Sequence, residues 1–237
     1  MRVRPVRLNG AVAGLFVVGS FCFVLGSVPA YVSLVGGVVD DVTYVVGSIF
    51  FTSAALLQLL QAHDPALTEV DERGQNEPVP LVLWRWRPHD RGWLAAVSQF
   101  PGTLFFNVST AAALAHNTSV QYVDRHVWRP DFAGLVLFLV ASVFGILAIG
   151  RLFTFRPRSF PWWTAWLNMT GSILFMASAL ASVVLPATGE ELSSSIAAAG
   201  TLLGAACFLV GAALLIPGWR VAVADRPAAV LEQRPTP

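Results

Sequence analysis

The sequence predicts an all-α membrane protein: six transmembrane helices forming three related helical hairpins, with N- and C-termini cytoplasmic. Three observations predict it. The 237 residues are 55% hydrophobic and only 12% charged, against about 25% charged in a soluble domain, so the chain cannot cover itself with a solvated surface. Six stretches reach the roughly 20 apolar residues that a bilayer-spanning helix needs. One short glycine–phenylalanine pattern recurs in each of the six.

The stretches run over residues 8–31, 42–62, 93–115, 132–153, 163–185 and 196–216. None holds an Asp, Glu, Lys or Arg away from its ends. The first follows Arg2, Arg4 and Arg7 and could pass for a signal peptide. It carries the same internal pattern as the other five, which a disposable segment has no reason to do. The chain is therefore read as one membrane domain over 1–237, with hairpins 8–62, 93–153 and 163–216. A polar loop, 63–92, would lie in the cytoplasm, and a Pro-rich tail, 220–237, would be disordered.

Orientation follows from arginine, the only basic residue type other than histidine. Thirteen of the fifteen arginines fall in the N-terminal tail, the 63–92 loop, the fourth-to-fifth connection and the C-terminal tail. Only Arg125 and Arg129 fall on the other side. The positive-inside bias puts the first set in the cytoplasm. The tryptophans lie near stretch ends or in loops, where their rings suit the headgroup layer. Trp84-Arg85-Trp86-Arg87 could rest on the inner face beside anionic lipid. The acidic residues of the outer side, among them Asp40, Asp41, Asp124 and Asp131, are read as partners of helix N-termini rather than as a cation site.

The repeated pattern is a glycine at position zero, phenylalanine at position four and small residues at positions seven and eight. The six pairs are Gly19 and Phe23, Gly47 and Phe51, Gly102 and Phe106, Gly134 and Phe138, Gly171 and Phe175, and Gly204 and Phe208. At about 100° per residue these positions form one helix stripe about 100° wide. Small residues let helix backbones approach closely where lipid removes the hydrophobic drive. The twelve residues are therefore expected to pack helix on helix, each phenylalanine filling the space beside a neighbour's glycine. Successive glycines are 28, 55, 32, 37 and 33 residues apart. The long second interval favours three hairpins over an inverted repeat of two three-helix halves.

The paired Val18-Gly19-Ser20-Phe21-Cys22-Phe23 and Val46-Gly47-Ser48-Ile49-Phe50-Phe51 resemble the YrhK-like family of small bacterial integral membrane proteins. The likeness is best over about residues 11–61 and again over 166–216, with Gly134-Leu135 departing from Gly-Ser. It implies architecture, bacterial origin and membrane location, and no activity.

Extended backwards by three residues, the stripe turns polar. Gln99 and Asn168 lie there, Thr103 and Ser172 follow their glycines, and Asn107 lies further along the third stretch, which Pro101 should kink. Gln99, Thr103, Asn107, Asn168 and Ser172 form the candidate polar intramembrane site. Interhelical hydrogen bonding is its plain alternative, at about 0.6 kcal/mol per bond.

No nucleophile–base pair, phosphate loop or metal-ligand spacing appears, and the two cysteines, Cys22 and Cys207, lie apart in apolar surroundings. No catalytic, cofactor-binding or metal residue is assigned, and no cofactor is expected. The expected partner is the lipid bilayer, with a homo-oligomer possible and no nucleic acid. The expectation is a multi-pass, non-enzymatic protein of the cytoplasmic membrane with a structural, assembly or sensing role. The alternative is a passive channel or facilitator for a small neutral solute.

Overall fold

A computed structural model describes residues 2–68, 78–150 and 155–224. The helices are α1 (Pro5–Gly26), α2 (Pro29–Val35), α3 (Gly37–Ala62), α4 (Pro65–Thr68), α5 (Arg91–Ala113), α6 (Val120–Tyr122), α7 (Arg129–Ile149), α8 (Phe160–Ala181) and α9 (Ser194–Ala224). A π-helical turn, Val123–Trp128, leads into α7. The only strands among the described residues are Arg2–Val3 and Val79–Pro80, paired antiparallel. They tie the start of the chain to the end of the first long loop.

The helices start where the sequence lets them. Proline opens α1, α2, α7 and α8 within their first two positions, where a missing N–H costs nothing. Asp90 caps α5 by accepting from the Trp93 amide, and Ser159 caps α8 by accepting from the Trp162 amide. Asp40, Asp124 and Asp131, expected at helix N-termini, lie in first turns rather than at the N-cap positions. The N-cap of α3 is Gly36, with φ 81°, a conformation that favours glycine. Asp41 pairs with His116 at 3.5 Å and Asp124 with Arg129 at 2.8 Å. Asp40 and Asp131 sit in the first turns of α3 and α7.

Five helical segments are long and apolar enough to cross a membrane: Pro5–Gly26, Gly37–Ala62, Val120–Ile149, Phe160–Ala181 and Ser194–Gly218. The architecture is all-α and fits a membrane protein. α5 is less apolar, because Ser98, Gln99, Asn107 and Ser109 interrupt it, yet it packs as fully as the others. The first predicted stretch, 8–31, divides at Gly26 into α1 and the short α2. At the other end, α9 continues through Pro217 to Ala224, so residues 220–224 are helix rather than tail. Residues 225–237 of the predicted tail lie outside the described residues.

Six long helices form a closed ring in chain order. α1 packs on α3, α3 on α5, α5 on α7, α7 on α8, α8 on α9, and α9 back on α1. The most extensive packing is within the pairs α1/α3, α5/α7 and α8/α9. In each pair the two pattern glycines face one another. A Cβ on Gly19 would lie 2.9 Å from the Gly47 carbonyl oxygen. One on Gly134 would lie 2.8 Å from the Gly102 carbonyl oxygen, and one on Gly204 3.1 Å from that of Gly171. No side chain fits between backbones this close.

The pattern phenylalanines meet on the axis of the ring. Phe23, Phe106 and Phe175 form one triangle with ring centroids 6.0–6.5 Å apart. Phe51, Phe138 and Phe208 form a second, at 5.7–6.2 Å. Contacts within the helix pairs, Phe23–Phe51, Phe106–Phe138 and Phe175–Phe208, join the triangles at 5.3–6.3 Å. Every edge of a triangular prism is thus a ring contact, most of them edge-on and the rest tilted, and the edge-on geometry is one the aromatic quadrupole favours. Each helix pair contributes two rings to the prism, which sits at the centre of the ring of helices. A void of about 20 Å³ remains between the rings. The surface it presents is almost wholly carbon.

Candidate functional site

The position after each pattern glycine surrounds the prism. Ser20, Ser48, Thr103, Leu135, Ala205 and Ser172 are each at most 2% exposed. Two of these hydroxyls fasten neighbouring pairs together. Ser48 shares a hydrogen bond with Thr110 at 3.1 Å, joining α3 to α5. Ser172 shares one with Ser142 at 3.0 Å, joining α8 to α7. The position equivalent to Ser142 in α9 is Ala212, and the equivalent of Ser172 in α1 is Ser20. The Ser20 hydroxyl accordingly has no partner. At the end of the bundle away from the N-terminus, Ser27 bonds Tyr44 and Ser178 bonds Thr201, at 2.9 and 2.7 Å, across the first and third pairs.

Toward the end that carries Arg2–Arg7, Arg87 and Arg91, the axis opens into a polar cavity. Its floor is the Phe51–Phe138–Phe208 triangle. Two small chambers, about 40 and 80 Å³, rest on that floor and share Gln58, Gln99, Asn168 and Phe208. Two larger ones, about 350 and 310 Å³, lie beyond them and share Asn9 and Gln58. The walls come from matching positions in the sequence pattern of the helices. Phe16, Gln99 and Asn168 each stand three residues before a pattern glycine, and Gln58, Gly145 and Leu215 each stand eleven after one. All six line the small chambers.

Among the described residues, no hydrogen bond involves the side chains of Asn9, Gln58, Gln99 or Asn168. The Gln58 Oε1 is fully enclosed and unpartnered. An unmade hydrogen bond at a buried amide costs about 1–3 kcal/mol, so these groups are set to bond water or a bound molecule. Gly211 makes room for one of them: a Cβ there would lie 3.1 Å from the Asn168 Oδ1.

No protein-family model, curated protein or solved structure matches the chain. The geometry of the cavity therefore carries the functional reading.

The five predicted polar residues separate into two groups. Gln99, Asn168 and Ser172 line the axial cavity. Thr103 instead donates to the Phe100 carbonyl at 2.7 Å and borders the space between the rings. Asn107 faces α3, where Thr52 donates to its Oδ1 at 3.2 Å, and Thr52 also reaches the Thr103 carbonyl at 3.3 Å. Asn107 is thus part of the α3–α5 seam. Pro101 lies within α5, which continues through it. Asn9 and Gln58 join the cavity without having been singled out by sequence. The signal was present: ten residues before Gly19 and eleven after Gly47 fall at about 80° and 20° on the same stripe.

The mouth is bordered by the end of the first long loop. Arg87 donates to the Ala62 carbonyl at 3.0 Å and pairs with Asp90 at 2.7 Å, and both line the larger chamber with Trp93. Behind them His63 is 1% exposed. Its ring lies 5.2 Å from that of Trp84 and 6.3 Å from that of Trp93, and neither ring nitrogen has a partner. Burial, and then the Arg87 charge, hold its pKa below the ordinary value. Trp93 itself is 2% exposed, so it anchors the bundle interior rather than the headgroup layer, whereas Trp84 and Trp86 are exposed.

Proposed function

We infer that the protein is a non-enzymatic, multi-pass protein of the cytoplasmic membrane that acts by binding or sensing rather than as an open pore. In this reading the three helix pairs are copies of one hairpin, making six spans, with both termini on the cytoplasmic side. The matched glycine contacts within pairs favour the hairpin reading over two inverted halves. The arginine bias favours the orientation, with the polar cavity facing the cytoplasm. The Gly-Ser-x-x-Phe hairpins are the ground for grouping the chain with the YrhK-like family.

One observation carries the functional part. The cavity ends on six interlocked phenylalanine rings, so a solute that enters has no continuous polar route along the axis. Proteoliposomes holding the purified chain test it. The expected result is no flux of urea, glycerol or acetamide above that of empty liposomes. Flux that Asn168→Leu or Gln99→Leu abolishes would establish a facilitator instead. Labelling of single cysteines should place the 63–92 loop inside the cell and the 117–130 loop outside; the reverse would overturn the orientation.

A further inference from the structure

The three helix pairs agree where packing requires agreement. Glycine at position zero and phenylalanine at position four are kept in every helix, and positions seven and eight stay small. They disagree where the cavity lies. Three residues before the glycines of α1, α5 and α8 stand Phe16, Gln99 and Asn168. Eleven after those of α3, α7 and α9 stand Gln58, Gly145 and Leu215. Helix packing alone would be served by the same residue three times over, as it is at the glycines. The departure from threefold repetition is directional. Three of the six positions carry an amide, and these three line both small chambers, while Phe16 packs its ring on Phe51 at 4.7 Å.

We propose that this axial cavity is a binding site for a small uncharged molecule bearing both hydrogen-bond donors and acceptors. Carboxamides, ureas and polyols are the chemical class. Each carboxamide side chain offers a carbonyl acceptor and an NH₂ donor, and Gln58, Gln99 and Asn168 present both kinds around one space. Among the described residues, no ionisable side chain lines the two small chambers, so a charge entering them would be left without a counter-ion in a low-dielectric interior. Arg87 and Asp90, which line a chamber at the mouth, pair with one another. Size sets a further limit. The larger of the two small chambers, about 80 Å³, admits a group of a few heavy atoms, and the chambers at the mouth take any larger remainder. The phenylalanine floor supplies an apolar face on which a flat amide or a methyl group can rest.

The proposal rests on the reading of the protein as a closed membrane bundle, and binding is measured separately from flux so that either can fail alone. Full-length protein in lipid nanodiscs is examined by ligand-observed saturation-transfer NMR with acetamide and glycerol. Their charged counterparts acetate and ethylammonium serve as controls. The expected result is transfer to the neutral probes and none to the charged ones. Gln99→Leu and Asn168→Leu should each weaken the neutral signal about fivefold, the loss of one ordinary hydrogen bond, while Asn107→Leu leaves it unchanged. Leu215→Gln, which places an amide at the position equivalent to Gln58, should strengthen it and guards against variants that fail to fold. Equal transfer to charged probes, no transfer to either neutral probe, or a signal indifferent to Gln99, Asn168 and Leu215 would each overturn the proposal.

Discussion

Gly134 and Gly14 show how little of a glycine's role its sequence neighbours reveal. Both lie in apolar helices. A Cβ on Gly134 would meet the Gly102 carbonyl at 2.8 Å, a backbone atom that can yield only if the helices part. A Cβ on Gly14 would meet nothing within 4 Å. Gly134→Ala should therefore destabilise the protein by about 1–3 kcal/mol through overpacking. Gly14→Ala should leave stability unchanged or raise it by about 0.5–1 kcal/mol, since alanine is the better helix former. Thermal unfolding of the two variants in detergent distinguishes them, and equal melting temperatures would contradict the packing described for the α5/α7 pair. The twelve pattern residues were legible in the sequence because a helix converts spacing into a face. The amide cavity was legible only in part. Gln99 and Asn168 lay one turn from their glycines and were found. Gln58 and Asn9 lay three turns away, where a pattern aligned over nine residues does not reach. Asn107 takes the interhelical hydrogen bond that was the plain alternative, because polarity marks a residue as facing protein without saying which neighbour it faces.

The elements outside the six long helices could not be ordered from sequence. The close of the first long loop reads as polar sequence with proline breakers, yet residues 78–90 are fastened at several points. Val79–Pro80 pairs with Arg2–Val3, Arg87 caps the end of α3, and Trp84 and Trp93 enclose His63. These are contacts between segments far apart in the chain, and no local periodicity announces them. The enclosed histidine gives this element a pH dependence. Its pKa is lowered in the fold, so the unfolded chain binds the proton first as the pH falls. Stability is full above the ordinary histidine pKa of about 6.5. It declines as the pH drops from there toward the lowered folded-state value, and levels off below it. Between pH 7.5 and about 5 the slope of melting temperature against pH should differ between the natural protein and His63→Phe, the natural protein losing more on acidification by the share the enclosed ring contributes. An unchanged slope in the variant would mean that other groups carry it.

At the scale of the whole molecule, the ring joins its last helix to its first. α9 packs on α1 as the other neighbours pack on each other, and the start of α1 and the end of α9 lie at the same end of the bundle. The order in which the three pairs are read along the chain is then immaterial to the finished fold. A circular permutant follows from this: a gene in which a flexible linker joins the old ends and the chain is opened between α7 and α8. Both new ends would emerge at the same end of the bundle as the old ones. Such a permutant should insert, run as a folded species in detergent and give the same neutral-probe NMR response as the natural order. A permutant that inserts but does not respond would show that chain order, and not ring closure alone, shapes the cavity.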